Sequence, residues 1–210
     1  MRTRDEQKEQ AIREKALEMV VKTGFDGLSM QRLAKAAKVS PATIYIYFKD
    51  REDLILQIYL EVNERLTRSM LENFDSSMNF EEGMKVQWLN RARYFMEHPL
   101  EVQFLEQIKH SPFYEKALPL EKTDFRKKMK EFISKAIADK ELKALPFEVY
   151  WSIAYAPLYQ LVKYHLQGKS HLNENFSMSD DILFQTLSLV LQALKPLPGL
   201  ADKVGSFTDT

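Results

Sequence analysis

The sequence predicts an all-α fold of about nine helices, in which a small three-helix N-terminal domain is joined by a long helix to a larger helical body. Three observations lead there. Apolar residues recur at helical spacing along most of the 210 residues, and no stretch sustains the alternation of a strand. Good helix-starting residues stand where the periodic runs begin: Ser29, Ser40 ahead of Pro41, and Asp50. A hydrophobic content of 45% can build one compact body or a small domain fused to a larger one.

The first helix is expected over residues 5–23, with Ile12, Ala16, Leu17 and Val20 on one broad face. Gly24 stands where a C-cap glycine belongs, and Phe25 is expected to fold back as a core plug. Ser29 caps a helix over Met30–Ala37 that turns Leu33, Ala34 and Ala37 inward. Lys38–Val39 makes a turn, and Ser40 caps a very short helix from Pro41 to about Tyr47. Ile44 and Phe48, four apart, point to the core, which turns Tyr45 and Tyr47 outward. Asp50 caps the long helix, about Arg51–Phe74, and Asp53 completes an acidic first turn. Further helices are expected at about Phe80–Glu97, Leu100–Lys109, Glu121–Asp139, Phe147–Gln167 and Met178–Leu194. Residues 75–79 and 169–177 are polar links, 113–120 is ambiguous, and Pro157 kinks its helix. The tail from Lys195 holds two prolines and two glycines and is expected to be loosely held.

The formal net charge is zero, but it is unevenly spread: residues 1–50 carry ten Lys/Arg against seven Asp/Glu. Between Leu28 and Lys49 there are four basic residues and no acidic one, which permits a polyanionic partner. The chain has no cysteine, so it forms no disulfide, thiolate nucleophile or cysteine-ligated metal site, and a cytoplasmic protein is expected. The opening MRTRDEQKEQ lacks the apolar run of a secretory leader, and no apolar run is long enough to span a membrane, so neither is expected.

A helix-turn-helix needs a second helix held proud of a three-helix core, able to enter a major groove about 12 Å wide. The stretch 28–54 meets that need. Ser40, Thr43, Tyr45 and Tyr47 can donate to phosphate oxygens, Lys49 and Arg51 add charge, and Pro41 and Ala42 offer compact apolar surface for a thymine methyl. Gln31, Arg32 and Lys35 can supplement them from the preceding helix. The short helix exposes no long base-reading Arg, Gln or Asn, so base readout from it is expected to be thin. The plainer reading is a small helical subdomain whose tyrosines are ordinary surface.

On these residues the N-terminal quarter resembles the DNA-binding domain of the tetracycline-repressor-like (TetR/AcrR) family of transcriptional regulators. The matching stretches are GFDGLSMQRLAKAAKVS at 24–40 and PATIYIYFKDREDL at 41–54. Gly24, Phe25 and Gly27 match the glycine-aromatic-x-glycine motif, Ser29 the cap, and Leu33–Ala34, Ala37 and Val39 the residues around the turn. Tyr45 matches the tyrosine that meets the DNA backbone, Phe48 the aromatic core position, Lys49 the lysine ahead of the long helix, and Asp53–Leu54 the acidic-leucine pair. Two positions depart. The usual turn glycine is Lys38, which tolerates a left-handed turn poorly and adds a charge. The common glycine before the threonine is Ala42, which adds a methyl to the reading face.

The resemblance implies a helix-turn-helix domain over 1–54 and a dimerisation and effector-binding domain over 55–210. It also implies a homodimer on a double-stranded, palindromic DNA operator, released by a small, mainly apolar or aromatic molecule. The dimer face is expected on the last two helices, with Trp151, Leu158, Leu161, Leu183, Leu187, Val190 and Leu191; these residues could equally close the core of one protomer. The effector is expected among Trp88, Arg91, Phe95, Phe104, Gln107, Tyr155 and Tyr159, an apolar set with a few polar groups; these could equally be a packed aromatic core. No cofactor or metal is expected. The four histidines show no metal-ligand spacing, no phosphate-binding G-x-x-x-x-G-K-[ST] loop occurs, and no catalytic carboxylate pair stands out, so a small helical enzyme is disfavoured. A ligand-independent helical scaffold or protein-binding regulator is the remaining alternative.

Overall fold

The computed structural model describes residues 4–121 and 124–196, so the expectation of a loosely held tail falls almost wholly outside the described residues. Among them are eleven α-helices: α1 (Arg4–Gly27), α2 (Met30–Ala36), α3 (Pro41–Tyr47), α4 (Arg51–Met70), α5 (Phe80–Glu97), α6 (Pro99–Lys109), α7 (Pro112–Ala117), α8 (Asp124–Ala138), α9 (Phe147–Ala154), α10 (Ala156–Gln167) and α11 (Asp180–Leu194). A single 3-10 turn, Leu118–Leu120, follows α7. No strand occurs among the described residues, and no helix there is long and apolar enough to cross a membrane.

The chain packs as two compact units. One holds the chain up to Leu66 together with His98–Lys122; the other holds Thr67–Glu97 and the chain from Thr123 onward. Packing therefore groups residues differently from a cut at residue 54, because the apolar face of α4 and the later helix α6 complete the N-terminal core.

In the first unit, Ile12, Val20, Leu28, Leu33, Ile44, Phe48, Leu54 and Ile55 form a buried cluster with Phe104 and Ile108 of α6. Each such side chain contributes about 1.5–3 kcal/mol on full burial. Helix α1 is interrupted at Gly24 (φ 70°, ψ 175°), a conformation that only glycine adopts without strain. The break lets Phe25 turn into the core, its ring centre 6.2 Å from that of Phe104 and 5.2 Å from that of Phe113. The guanidinium of Arg13 lies over the Phe48 ring at 4.9 Å and donates to Glu9 at 2.7 Å and Gln57 at 2.8 Å.

The second unit buries Phe74, Phe80, Met84, Trp88, Phe132, Tyr150, Tyr155, Leu158 and the inner side of α11. The Trp88 indole donates to the carbonyl of Ala154 at 2.9 Å. Gln87 donates to the Met70 carbonyl at 2.6 Å and Asn90 to the Glu72 carbonyl at 2.7 Å, satisfying backbone acceptors at and just past the end of α4. The long helix ends at Met70, four residues short of Phe74, and Asn73 is left-handed in the turn that follows (φ 54°). The helix expected over Phe147–Gln167 is two: Tyr155 leaves helical geometry (φ −129°, ψ −25°) and Pro157 sits in the first turn of α10, where a missing N–H breaks no hydrogen bond. Helix α11 begins at Asp180 because Ser179 is its cap, accepting from the Ile182 amide at 3.4 Å.

Candidate functional site

The α2–turn–α3 segment is built from its caps. The Ser29 side chain accepts from the Arg32 amide at 3.2 Å. After Ala37, Lys38 adopts φ 56°. Its amide donates to the Lys35 carbonyl at 3.3 Å and that of Val39 to the Ala34 carbonyl at 3.0 Å, the paired closure of a Schellman turn. Lysine thus occupies the left-handed position where glycine is customary, and the turn keeps its geometry at a strain of about 1 kcal/mol. Ser40 then accepts from the Thr43 amide at 3.1 Å, Pro41 supplies the first helical residue, and buried Ile44 and Phe48 anchor α3 to the core. At the start of α4, Asp50 accepts from the Asp53 amide at 2.8 Å while Asp53 accepts from the Lys49 amide at 2.8 Å.

The anchors divide the expected DNA-contacting residues into two groups. Gln31, Lys38, Ser40, Pro41, Ala42, Tyr45 and Lys49 are exposed. Four others are engaged within the unit. Arg32, although exposed, donates to the Gly27 carbonyl at 3.0 Å, and Arg51 donates to the Phe25 carbonyl. Thr43 pairs with Ser40, oxygen to oxygen, at 2.8 Å. The Tyr47 hydroxyl donates to the Asp5 carbonyl at 3.3 Å, and partial burial, then Asp5 and Glu9, push its pKa above the ordinary tyrosine value. The expectation that Tyr47 points outward is corrected: it is half-buried, its ring against Phe48. Sequence reasoning passed over Ile46, which is 76% exposed on α3. Its signal was there: it lies two residues from core Ile44, on the opposite side of a seven-residue helix.

Residues 12–58 match the model for the tetR family of bacterial regulatory proteins. A TetR family transcription regulator from Marinobacter aquaeolei VT8, known from its crystal structure, aligns over 93% of this chain and 99% of its own, with a TM-score of 0.74 and 26% identity. Residues 12–58 carry the DNA-binding segment of the tetR family, and the chain shares its fold with TetR-family regulators. An uncharacterized HTH-type transcriptional regulator from Haemophilus influenzae is 31% identical over 94 residues, 45% of this chain and 50% of that protein. A fatty acid metabolism regulator protein from Bacillus subtilis is 28% identical over 67 residues, 32% of this chain and 34% of that one. The chain therefore spans half or less of the length of the curated relatives it matches.

In the second unit, five of the seven expected effector residues come together: Trp88, Arg91, Phe95, Tyr155 and Tyr159. Arg91 is fully buried, with its guanidinium carbon 4.1 Å from the centre of the Tyr155 ring, 5.8 Å from Phe125 and 5.9 Å from Trp151. Its Nη1 donates to both the backbone carbonyl and the side-chain oxygen of Gln87. Its Nε and Nη2, and the Tyr155 hydroxyl, have no hydrogen-bond partner. The Tyr159 ring lies tilted 5.2 Å from that of Phe95 and stacks 6.4 Å from that of Tyr155. Burial pushes the hydroxyls of Tyr150 and Tyr159 above the ordinary tyrosine pKa, and Arg91 opposes the rise at both. The other two residues are corrected. Phe104 and Gln107 belong to the first unit, where Phe104 is core and Gln107 donates to the Val21 carbonyl at 3.2 Å, because α6 packs on α1.

The expected dimer residues are likewise divided. Leu158, Leu183, Leu187, Val190 and Leu191 are buried in the second unit's own core, where they close the core of one protomer. Trp151 and Leu161 are half-buried. The outer side of α11 instead carries Phe184, Gln185, Ser188, Leu189, Gln192 and Ala193, all exposed.

Proposed function

We propose that this protein is a dimeric, DNA-binding transcriptional regulator, a repressor that holds a palindromic operator and is released by a small, mainly apolar or aromatic molecule. The observation that carries the reading is the exposed start of α3, Ser40–Pro41–Ala42 with Tyr45, in a stretch that holds basic residues and no acidic one. Tyr45 and Lys49 serve the phosphate backbone; Pro41, Ala42 and Ile46 form a thin apolar reading surface, with Gln31 beside it. The tetR-family match over residues 12–58 supports the same assignment.

So few base contacts discriminate poorly, and a second copy doubles them on adjacent half-sites. The exposed side of α11, with Leu189 at 61% exposure and Phe184 at 36%, supports that helix as the contact between copies. The ring cluster around Arg91 supports the second unit as the receiver of the effector. Binding there favours an arrangement in which the two reading helices no longer match successive grooves, and operator DNA weakens effector binding by the same factor.

Selection of bound duplexes from a random pool, with the purified protein, tests this reading. The expected product is an approximate palindrome whose affinity falls steeply with salt. A Tyr45→Ala/Lys49→Ala variant then loses about tenfold or more in affinity. Unchanged affinity in that variant overturns the contacts assigned here, and a pool that yields no enriched duplex overturns the function.

A further inference from the structure

The surroundings of Arg91 ask for an anion. A guanidinium keeps its positive charge when buried, and taking it out of water is costly unless a negative charge or a full set of acceptors compensates. Arg91 is 0% exposed, and no carboxylate pairs with it among the described residues. Its compensation is partial: two oxygens of Gln87 at Nη1, the nearby hydroxyl of Tyr159, and the face of Tyr155 at 4.1 Å. The unused donors are not scattered. Nε–H and the neighbouring Nη2–H lie along one edge of the planar group, and that edge is the two-pronged fork that receives both oxygens of a carboxylate. The Tyr155 hydroxyl, also without a partner, stands in the same cluster. The walls are the rings of Phe125, Trp151, Tyr155 and Tyr159; Phe125, Trp151 and Tyr159 are only half-buried, so the cluster reaches the protein surface.

We propose that the effector is a carboxylic acid: its carboxylate is taken in two-pronged fashion by Nε and Nη2 of Arg91, and its apolar body lies among the surrounding rings. This rests on the reading of the second unit as the effector-binding part, and it adds the charge of the ligand. It also accounts for leaving a cation inside an aromatic core. Without ligand the site is under-compensated, and an acid relieves this where a neutral molecule of the same shape does not.

The test uses the full-length protein and matched probes: decanoate against decanol, and 4-phenylbutyrate against 4-phenylbutanol, followed by tryptophan fluorescence. Both tryptophans of the chain, Trp88 and Trp151, lie in the cluster. The expected result is that at least one acid binds about tenfold or more tightly than its alcohol, and the better pair tells an aliphatic from an aromatic body. Arg91→Met, which keeps the length of the side chain and removes the charge, abolishes the preference and melts higher than wild type without ligand, by about 2 °C or more. Absence of any acid-over-alcohol preference in the wild type overturns the proposal, as does an Arg91→Met protein that retains the preference. If acids and alcohols bind alike and both release the selected operator, the effector reading stands and only the anion inference falls. If nothing binds and nothing releases the operator, both fall.

Discussion

The hydroxyl of Tyr47 donates to the backbone carbonyl of Asp5 at 3.3 Å, while Tyr45, two residues earlier on the same short helix, stands 55% exposed. One tyrosine ties α3 to α1; the other is available to a phosphate. Tyr47→Phe is therefore expected to leave operator affinity within about twofold, whereas Tyr45→Phe lowers it by about two- to tenfold, the worth of one hydrogen bond. Fluorescence anisotropy with the selected duplex at fixed salt separates the two. Equal losses would show that both hydroxyls reach DNA.

Lys38 holds a left-handed conformation at φ 56°, which costs a side chain that carries a Cβ about 1 kcal/mol. Lys38→Gly relieves that strain and is expected to raise stability toward urea by about this amount. It also removes a cation from the proposed DNA face, so the slope of log affinity against log salt becomes shallower by about one. A variant that is less stable than wild type would mean that the lysine side chain holds the turn by contacts of its own.

Gly83 lies inside α5, and a Cβ built there would stand 2.3 Å from Cε2 and 2.4 Å from Cζ of Phe132. The ring packs directly on the helix backbone. Gly83→Ala should therefore destabilise the protein by about 1–3 kcal/mol through overpacking, although alanine is the better helix former. A Gly83→Ala/Phe132→Leu double variant recovers part of the loss, because the ring that is struck is gone. Thermal unfolding of the three variants reads this directly.

Alkaline pH should weaken the second unit. The hydroxyls of Tyr150 and Tyr159 have pKa values raised above the ordinary 10.0, chiefly by burial. In the unfolded chain they ionise at about pH 10; in the fold they hold their protons to higher pH. The unfolded state therefore loses protons first, and stability present below about pH 10 drains away as pH rises through and beyond it. Urea midpoints measured upward from about pH 9 should fall, and a Tyr150→Phe/Tyr159→Phe variant should show a flatter decline. An identical slope in the two proteins would show that other groups govern it.

Local signals made the N-terminal elements legible. Ser29, Ser40, Pro41 and the Ile44–Phe48 pair state their roles within a few residues of one another, and the structure uses them at those places. What stayed hidden depends on distant partners. That Arg51 and Arg32 serve the backbone of 25–27 follows only once that loop has been folded beside them. That Phe104 and Gln107 part company with Trp88 follows from α6 packing on α1, with Gln107 and Val21 lying 86 positions apart. The aromatic composition named most of the ring cluster around Arg91, but periodicity cannot tell whether a buried cation has a partner. Pro157 announced a bend; that the helix breaks outright at Tyr155, whose ring packs among those of Tyr150, Trp151 and Tyr159, is seen only in the fold.

The two carbonyl-clamping arginines bear on any effort to retarget the protein to a new operator. A mutational library drawn from sequence alone would randomise Arg32 and Arg51 as though they were letters of the code. In this fold they are struts: Arg51 grips the Phe25 carbonyl and Arg32 that of Gly27, so library members altered there would give up about 0.5–1.5 kcal/mol of stability for each bond lost. On the proposed reading, the rewritable alphabet is smaller and lies elsewhere, at Gln31, Pro41, Ala42 and Ile46.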